Sequence, residues 1–537
     1  MNTVSGERRR GHQQDRSQVR LVPLLASLAL LGMAQHASAL EFELGPNAQL
    51  NLQTTLNYGY AVRTKSPDAG LLTNSSLLIA GVNRDDGDRN FRKWDAVNNR
   101  FTAIFDANLK LDGYGAFVRA TAFNDFVYTG RNHNDSPSTN NNLVANGGAL
   151  TDNQVFAKAT RDRHGRDAEI LDAYVYGDFV LANNPVTVRL GRQVVNWGES
   201  LFIIGGINTA TANLDATKLS SPGKELKEVF LPTGQLYGQA TFGNLTVAGY
   251  SQWEWDPIRL NQPGYFMSNN DALLGPSVLA FGAYATHGID QRAKNTGQYG
   301  LSARYVAKEL GSTEFGLYYV NYHDRLPALY SYADAASPIG LSYGLKYFEN
   351  IKLYGASVST VLGGSNYAAE ISYRDGTPVE VNAGPDPFAN YKRAKVVQAQ
   401  MSAIFFLGTF GGLAHDSDII VEYGVNRVLG LDNGELFVPS NSRTSHGGTI
   451  ELELDYFNVG GLPLKMANTL DWSISPRGTS PTGAFAQKQN SLAIGTKFTY
   501  KDRYQFGISY TKFYGDKKDP KGNFDRDTLA VNAKISF

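Results

Sequence analysis

The 537 residues contain no cysteine, which excludes disulfides and a lipid-modified cysteine anchor. After the first 39 residues no apolar run approaches the ~18 residues that a membrane-crossing helix needs. Net charge is lacking too. Lys and Arg number 50, as do Asp and Glu, and the N-terminal segment holds five Arg against Glu7 and Asp15. The remainder is therefore slightly acidic, by three charges, and offers no basic face for nucleic acid. Catalytic signatures are equally scarce. There is no Gly-x-Ser-x-Gly, no phosphate-binding Gly-rich loop followed by Lys and Ser/Thr, and no His-Glu-x-x-His.

Outside the first 39 residues the histidines are His133, His164, His287, His323, His415 and His446, scattered through predicted loops and turns. His415-Asp416-Ser417 is read as a solvated turn, because triad members are seldom sequence neighbours. Asp85-Asp86-Gly87-Asp88-Arg89-Asn90 carries oxygen ligands suited to Ca²⁺ but lacks the spacing of a dedicated calcium loop. It is read as a solvated loop that could share divalent ions with surface lipopolysaccharide. No catalytic, cofactor-binding or metal-binding residue is assigned, and no enzymatic activity is expected.

What is present begins with a leader over residues 1–39. Arg8, Arg9, Arg10, Arg16 and Arg20 form a basic start, Leu21 to Ala34 an apolar stretch, and Ala37-Ser38-Ala39 a small-residue cleavage site. Residues 40–537 are expected to be exported as one domain.

The dominant pattern is alternation. From Ala48 to Val62 the even positions are mostly apolar and the odd ones polar, over a length well beyond the five or six residues typical of a soluble strand. The last stretch alternates too: Leu529, Val531, Ala533, Ile535 and Phe537 against the mostly polar Thr528, Ala530, Asn532, Lys534 and Ser536. A strand ending the chain on Phe resembles the closing strand of bacterial outer-membrane barrels. Between these two lie sixteen further candidate strands, joined alternately by short turns such as Asp112-Gly113 and by long polar segments. The 29 Tyr, 28 Phe and 55 Gly suit walls that are apolar on every second residue only. Aromatics near strand ends, Tyr500, Tyr504, Tyr510, Phe513, Trp253 and Trp255, read as interface girdles. The expected fold is all-β: a transmembrane antiparallel up-and-down barrel of about eighteen strands (sixteen to eighteen), with long extracellular loops and short periplasmic turns. This places the C-terminus in the periplasm and the protein in the outer membrane of a Gram-negative cell.

Alternation also assigns the lumen. Asp106, Asn108, Lys110, Arg119, Asp172, Asp178 and Arg189 face inward in one region. Asp418, Glu422, Glu451, Glu453, Asp455 and Asp471 do so in another, with Lys465 as their base. The second group is an acidic wall on three neighbouring strands, nearly opposite the first. A transverse field orienting polar solutes is one expectation; simple solvation of a wide bore is the other.

One segment carries a family resemblance. Residues 189–232 read RLGRQVVNWGESLFIIGGINTATANLDATKLSSPGKELKEVFLP. The Arg-Leu-Gly-Arg-Gln-Val-Val-x-Trp-Gly-Glu-Ser opening, the Gly-Gly-Ile-Asn step and the Pro-Gly-x-Glu-Leu-Lys-Glu run resemble a large family of proteobacterial outer-membrane barrels classed only as a domain of unknown function. Asn213-Leu214-Asp215 departs from it, where a Pro is expected. The resemblance implies a porin-like barrel. It also implies a periplasmic lipid-binding protein and an export pump as partners, beside the outer-membrane lipids, lipopolysaccharide and barrel-assembly machinery expected of any such barrel.

Read physically, the segment leaves the extracellular end of an upward strand yet carries Leu201-Phe202-Ile203-Ile204, which an exposed loop disfavours. It is expected to fold into the bore or pack on the rim near 196–234, either as a structural latch or as a constriction with Trp197, Glu199 and Phe202 as contacts. The expected function is an outer-membrane channel or transporter for small molecules, hydrophobic or lipid-like ones among them. A general diffusion porin, a lipid-acting enzyme and a structural or adhesive barrel are the alternatives.

Overall fold

A computed structural model of the chain describes residues 40–72, 83–134, 152–280, 283–337, 339–382, 390–431, 438, 440–516 and 522–537. The leader read at residues 1–39 lies outside the described residues. Eighteen antiparallel strands form a closed barrel. In chain order they are β1 (Ala48–Arg63), β2 (Ala96–Leu111), β3 (Tyr114–Asp125), β4 (Arg166–Leu181), β5 (Asn184–Gln193) and β6 (Thr233–Phe242). Next come β7 (Leu245–Gln252), β8 (Gln298–Ala307), β9 (Thr313–Tyr322), β10 (Ile351–Leu362), β11 (Ser365–Val381) and β12 (Asn390–Phe406). The circuit is completed by β13 (Asp416–Leu431), β14 (Thr444–Tyr456), β15 (Leu464–Arg477), β16 (Gln489–Tyr500), β17 (Tyr504–Gly515) and β18 (Thr528–Ser536).

Each strand pairs with its sequence neighbours, and β18 closes the ring on β1 from Thr55↔Ser536 to Arg63↔Thr528. The last residue finishes the seam: Phe537 N donates to Thr54 O at 2.9 Å, and Thr54 N to Phe537 O at 2.6 Å. Below that point a short strand, Leu40–Gly45, pairs with the start of β1 and covers the edge that β18 leaves free. Closure pairs the wall strands with one another all the way round, the condition for crossing a lipid bilayer with strands.

The outer face shows why alternation was so regular. Phe105, Val118, Val175, Leu190, Leu301, Leu317, Ile371, Met401, Ile494 and Ile508 are all exposed and stand on it. Such a belt is tolerated only where hydrocarbon covers it. No described helix is long and apolar enough to cross a membrane. Short connections gather at one end, helped by backbone that turns left-handed: Ala182 and Asn183 have φ of 48° and 64°, Gly363 and Gly364 of 58° and 81°.

The other end is built up. Ser277–Ala280, Ala283–His287, Leu341–Lys346 and Ala328–Ala333 form a four-stranded sheet outside the barrel. Phe91, Tyr128, Phe156, Tyr265 and Phe266 pack with Ala61 and Val97 over one side of the mouth. Trp255, expected in a girdle, is 1 % exposed and packs on Tyr347 in this cap, because the strand it was meant to close ends three residues earlier. Trp253 keeps the exposed position.

The cap also overturns the solvated reading of the Asp-rich stretch. Asp85, Asp86, Asp88 and Asn90 are buried. Arg63 Nη2 lies 2.8 Å from both Asp88 Oδ1 and Asp525 Oδ2, Arg526 Nη2 lies 3.2 Å from Asp88 Oδ2, and Arg89 pairs with Asp85 at 2.7 Å. Gly87 sits so close to the Ser268 and Tyr265 carbonyls (2.5 and 2.6 Å from an added Cβ) that no side chain fits. Carboxylate oxygens of Asp85, Asp86 and Asp271 lie within 4.8 Å of one another.

Candidate functional site

Residues 194–232 leave β5 at the built-up end and turn into the bore. Val195, Trp197, Ile207 and Ala210 pack against Tyr237, Ala248, Tyr250, Tyr318, Val320, Ile351 and Leu353 on the inner faces of β6 to β10. The Trp197 ring centre lies 5.1 Å from Tyr250 and 6.1 Å from Tyr318. Trp197 is thus a packing residue, with no free face for a solute.

Two wall carboxylates hold the segment. Glu370 on β11 accepts from Glu199 N (2.6 Å), Ile207 N (2.9 Å) and Gln400 Nε2 (3.2 Å). Glu422 on β13 accepts from Leu201 N (3.0 Å), Phe202 N (2.6 Å), Ile203 N (2.7 Å) and Ser200 Oγ (3.2 Å). Consecutive backbone N–H groups converging on a carboxylate form an anion-binding concavity, here filled by the protein's own side chain. The glycines of the sequence motif follow from this. A Cβ on Gly198 (φ 95°) or Gly206 would come within 2.5 or 2.2 Å of a Glu370 oxygen. Gln398 Nε2 adds a bond to Ile204 O at 3.0 Å.

The Pro-Gly-Lys-Glu-Leu-Lys-Glu run ties the far end to the opposite wall. Asn57 Nδ2 donates to Pro222 O (3.0 Å), and Lys534 Nζ meets Glu225 Oε1 (2.9 Å). Lys227 Nζ reaches Asp106 Oδ2 (3.2 Å) and Glu225 Oε2 (3.1 Å). Glu228 Oε2 accepts from Glu225 N at 3.3 Å, closing one helical turn over Leu226–Val229. At Asn213-Leu214 the chain pairs with Phe230–Leu231, so the segment is a folded hairpin rather than a trailing loop. It spans the lumen from β11–β13 to β1, β2 and β18.

Burial of inward-facing side chains maps what the segment fills. Val320, Leu353, Ser372, Gln398, Glu422 and Asn426 on β9 to β13 are at most 1 % exposed. On β14 to β16, Glu451, Glu453 and Asp471 are half-buried and Lys497 exposed. The unfilled part of the bore therefore runs along β14 to β16.

That side carries most of the acidic wall. Glu451 faces Asp471 across the β14–β15 ladder, and Asp418 faces Glu453 across β13–β14. Lys465 Nζ is 2.7 Å from Asp455 and 4.0 Å from Glu453. Lys497 on β16 and Lys224 from the in-folded segment add positive charge that reading three strands alone missed. Burial lowers the Lys224 pKa, and Asp471 opposes that. Glu422 sits apart from its acidic neighbours in role: it is an anchor, not a pore-facing charge.

In the opposite region charges cancel locally. Arg119 pairs with Asp106 (2.8 Å) and Asp172 (3.2 Å), and Asp106 also takes Lys227. A β-bulge brings Asp172 there: the β3–β4 register jumps from Val118↔Ala173 to Ala120↔Ile170. Arg189 lies 4.4 Å from the Tyr237 ring centre and 5.8 Å from that of Tyr174. Of the remaining expected contacts, Phe202 is 41 % exposed and Glu199 directs Oε1 to Ser357 Oγ at 3.4 Å. Alternation could have found Glu370, since Asn366, Glu370 and Ser372 share its polar face. Nothing in the pattern says it holds residues 171 and 163 positions away.

His415, Asp416 and Ser417 are engaged separately at the short-turn end. His415 Nδ1 accepts from Phe457 N (2.8 Å), Asp416 Oδ1 accepts from Ser417 N (2.9 Å), and Ser417 Oγ donates to Gly408 O (2.7 Å). His446, expected in a loop, lies in β14 beside Tyr423.

Residues 20–537 match the family DUF1302, described as a protein of unknown function. No curated protein matches the chain. Among solved structures it is similar to Acinetobacter baumannii OccAB1, at 13% identity and a TM-score of 0.43, covering 91% of this chain and 96% of that one. Similarity extends to Pseudomonas aeruginosa OccK8 (OprE), at 10% identity and a TM-score of 0.43, with 91% and 98% covered. A BenF-like porin from Pseudomonas fluorescens Pf-5 is similar at 12% identity and a TM-score of 0.41, with 92% and 98% covered.

Proposed function

We propose that this protein, which belongs to the DUF1302 family of proteins of unknown function, is a selective outer-membrane channel for small molecules, hydrophobic ones among them, whose bore is narrowed by residues 194–232. The observation that carries the reading is the two-sided anchoring of that segment. Glu370 and Glu422 hold one end and Asn57, Lys534 and Asp106 the other. A latch serving the wall alone would need one side; a segment fastened across the lumen sets the size and charge of what passes. Solutes then move between its edge and the Glu451–Glu453–Asp471 wall, which favours cations and zwitterions.

In this reading the leader exports the chain, the short turns face the periplasm and the capped end faces outward. Exposed Phe410, Leu413 and Leu462 at the short-turn end offer apolar contact to a periplasmic lipid-binding partner that works with an export pump. Single-channel recording in planar bilayers, paired with swelling of liposomes in graded solutes, tests the proposal. Wild-type protein should conduct in small, cation-preferring steps, and deletion of Leu201–Ile204 should enlarge them. Swelling independent of solute chemistry would favour a general diffusion porin, and a closed bore in both assays a structural barrel.

A further inference from the structure

Above the in-folded segment, at the outer end of the bore, lies about 1100 Å³ of unoccupied space, part of it open to solvent. Its floor is made by the segment itself, through Ile204, Gly205 and Thr209, and its sides by β11 and the loops that follow β7, β9 and β15. The lining is mainly apolar and uncharged. Only Asp324, Arg325 and Arg374 carry charge, which leaves one positive charge in excess.

The two arginines share one buried carboxylate, Asp324, and Arg374 also bonds the Tyr322 side chain, yet neither guanidinium is fully satisfied. Arg374, on the inward face of β11, is 5 % exposed, and its Nε and Nη2 have no hydrogen-bond partner. These two atoms form one edge of the guanidinium, the edge whose parallel N–H bonds match the two oxygens of a carboxylate. Arg325 is 7 % exposed. Its Nε has no partner, and its other nitrogens make only long contacts, to Ala210 O at 3.5 Å and Gln252 Oε1 at 3.4 Å. Asp324 spends an oxygen on Leu326 N at 3.0 Å. Burying guanidinium nitrogens without acceptors is costly, so a cavity wall that keeps three of them, shielded from solvent, gains when an anion enters and the side chains turn to meet it.

We propose that this outer cavity is a binding site for an amphipathic monocarboxylate, its carboxylate held between Arg374 and Arg325 and its apolar chain lying against Ile204, Leu214, Ile258 and Pro327. The site deepens the channel reading and rests on it for its meaning in transport, since its floor is the segment that narrows the bore. A ligand there would sit at the entrance of the narrowed passage. Carboxylate capture would offset the electrostatic exclusion an anion meets at the acidic wall below.

The test is equilibrium binding of radiolabelled octanoate to the full-length protein in lipid nanodiscs, with empty nanodiscs subtracted. Saturable binding should be competed by unlabelled octanoate and not by octan-1-ol or octylammonium. Arg374→Gln and Arg325→Gln should each weaken it about tenfold, and Arg374→Lys nearly as much, because an ammonium keeps the charge and loses the paired edge. Folding of each variant is read from heat-modifiable gel migration. The competition series uses wild-type protein alone and decides the matter even if the variants fail to assemble. No saturable binding, equal competition by octan-1-ol, tighter binding of octyl phosphate, or wild-type affinity in folded arginine variants would each overturn the assignment. Binding without conductance in bilayers would instead defeat the channel reading and leave the site standing.

Discussion

Glu422 Oε2 lies 2.6 Å from the backbone nitrogen of Phe202, although 220 residues separate them in the chain. A charge on the barrel wall is thereby spent on holding an internal segment, and the same oxygen takes Ile203 N at 2.7 Å. The wall and the segment are one mechanical unit at this point, and removing the carboxylate should loosen it.

Replacing Glu422 by Ala leaves several N–H donors without their acceptor, a loss on the order of 3 kcal/mol in anchoring. Single-channel conductance should rise and its open-state noise increase. Glu370→Ala with Glu422→Ala should exceed either alone. Unchanged conductance in the double variant would show that packing of Trp197 and Ile207 holds the segment without them.

Neutralising Glu451, Glu453 and Asp455 together by amide substitutions should lower the cation preference measured as reversal potential under a salt gradient. Lys224, Lys465 and Lys497 would then outnumber the remaining Asp418 and Asp471 on that side. A reversal potential equal to that of the wild type would remove the acidic wall from the account of selectivity.

The cap at the built-up end should depend on pH through Asp271. Burial pushes its carboxyl up to about 7, and the neighbouring Asp85 adds to the effect while the Asp86 N–H opposes it. A carboxyl whose folded pKa is raised binds its proton more tightly when the cap is closed. Closure is therefore strongest below the ordinary carboxylate range and weakens as pH rises through about 7. Hydrogen exchange of residues 85–90, corrected for intrinsic rates, should be slower at acid than at alkaline pH. Asp271→Asn should flatten that difference.

Arg63 is fully buried between Asp88 and Asp525. Arg63→Ala would leave two buried carboxylates with less compensation, a change of about 3–5 kcal/mol. Protease added to the purified protein should then cleave the cap loops faster, while the barrel keeps its heat-modifiable migration. Loss of that migration would mean that the network stabilises the wall itself.

Deleting Phe537 removes two backbone bonds to Thr54 and one member of the apolar cluster with Tyr58, Ile535 and Tyr504. Yield of the heat-modifiable form in outer-membrane fractions should fall sharply. Phe537→Tyr, which keeps the ring and the backbone bonds, should restore most of it.

The sequence by itself determined the wall. A barrel strand needs one face for lipid and one for water, and that period of two is local, so it survives in the chain as alternation at Leu50, Leu52 and Leu56 or at Leu529, Val531 and Ala533. The eighteen strands, the alternation of short and long connections and the inward placement of Glu451 or Arg119 follow from it. Only the tertiary structure decided what those inward groups do. Glu422 and Glu453 have the same pattern around them, yet one closes on the amides of Leu201 to Ile203 and the other stands half-exposed beside Lys465. Trp197 and Phe202 lie five residues apart in one motif, and one is buried in an aromatic cluster while the other is exposed. The Asp85–Asn90 stretch reads as a solvated turn until Arg63 arrives from the end of β1 and Asp525 and Arg526 from the loop before β18. The reason is the same in each case. Alternation records which way a side chain points, while its partner across a bore is set by how far around the ring the chain has travelled and by where the in-folded segment comes to rest.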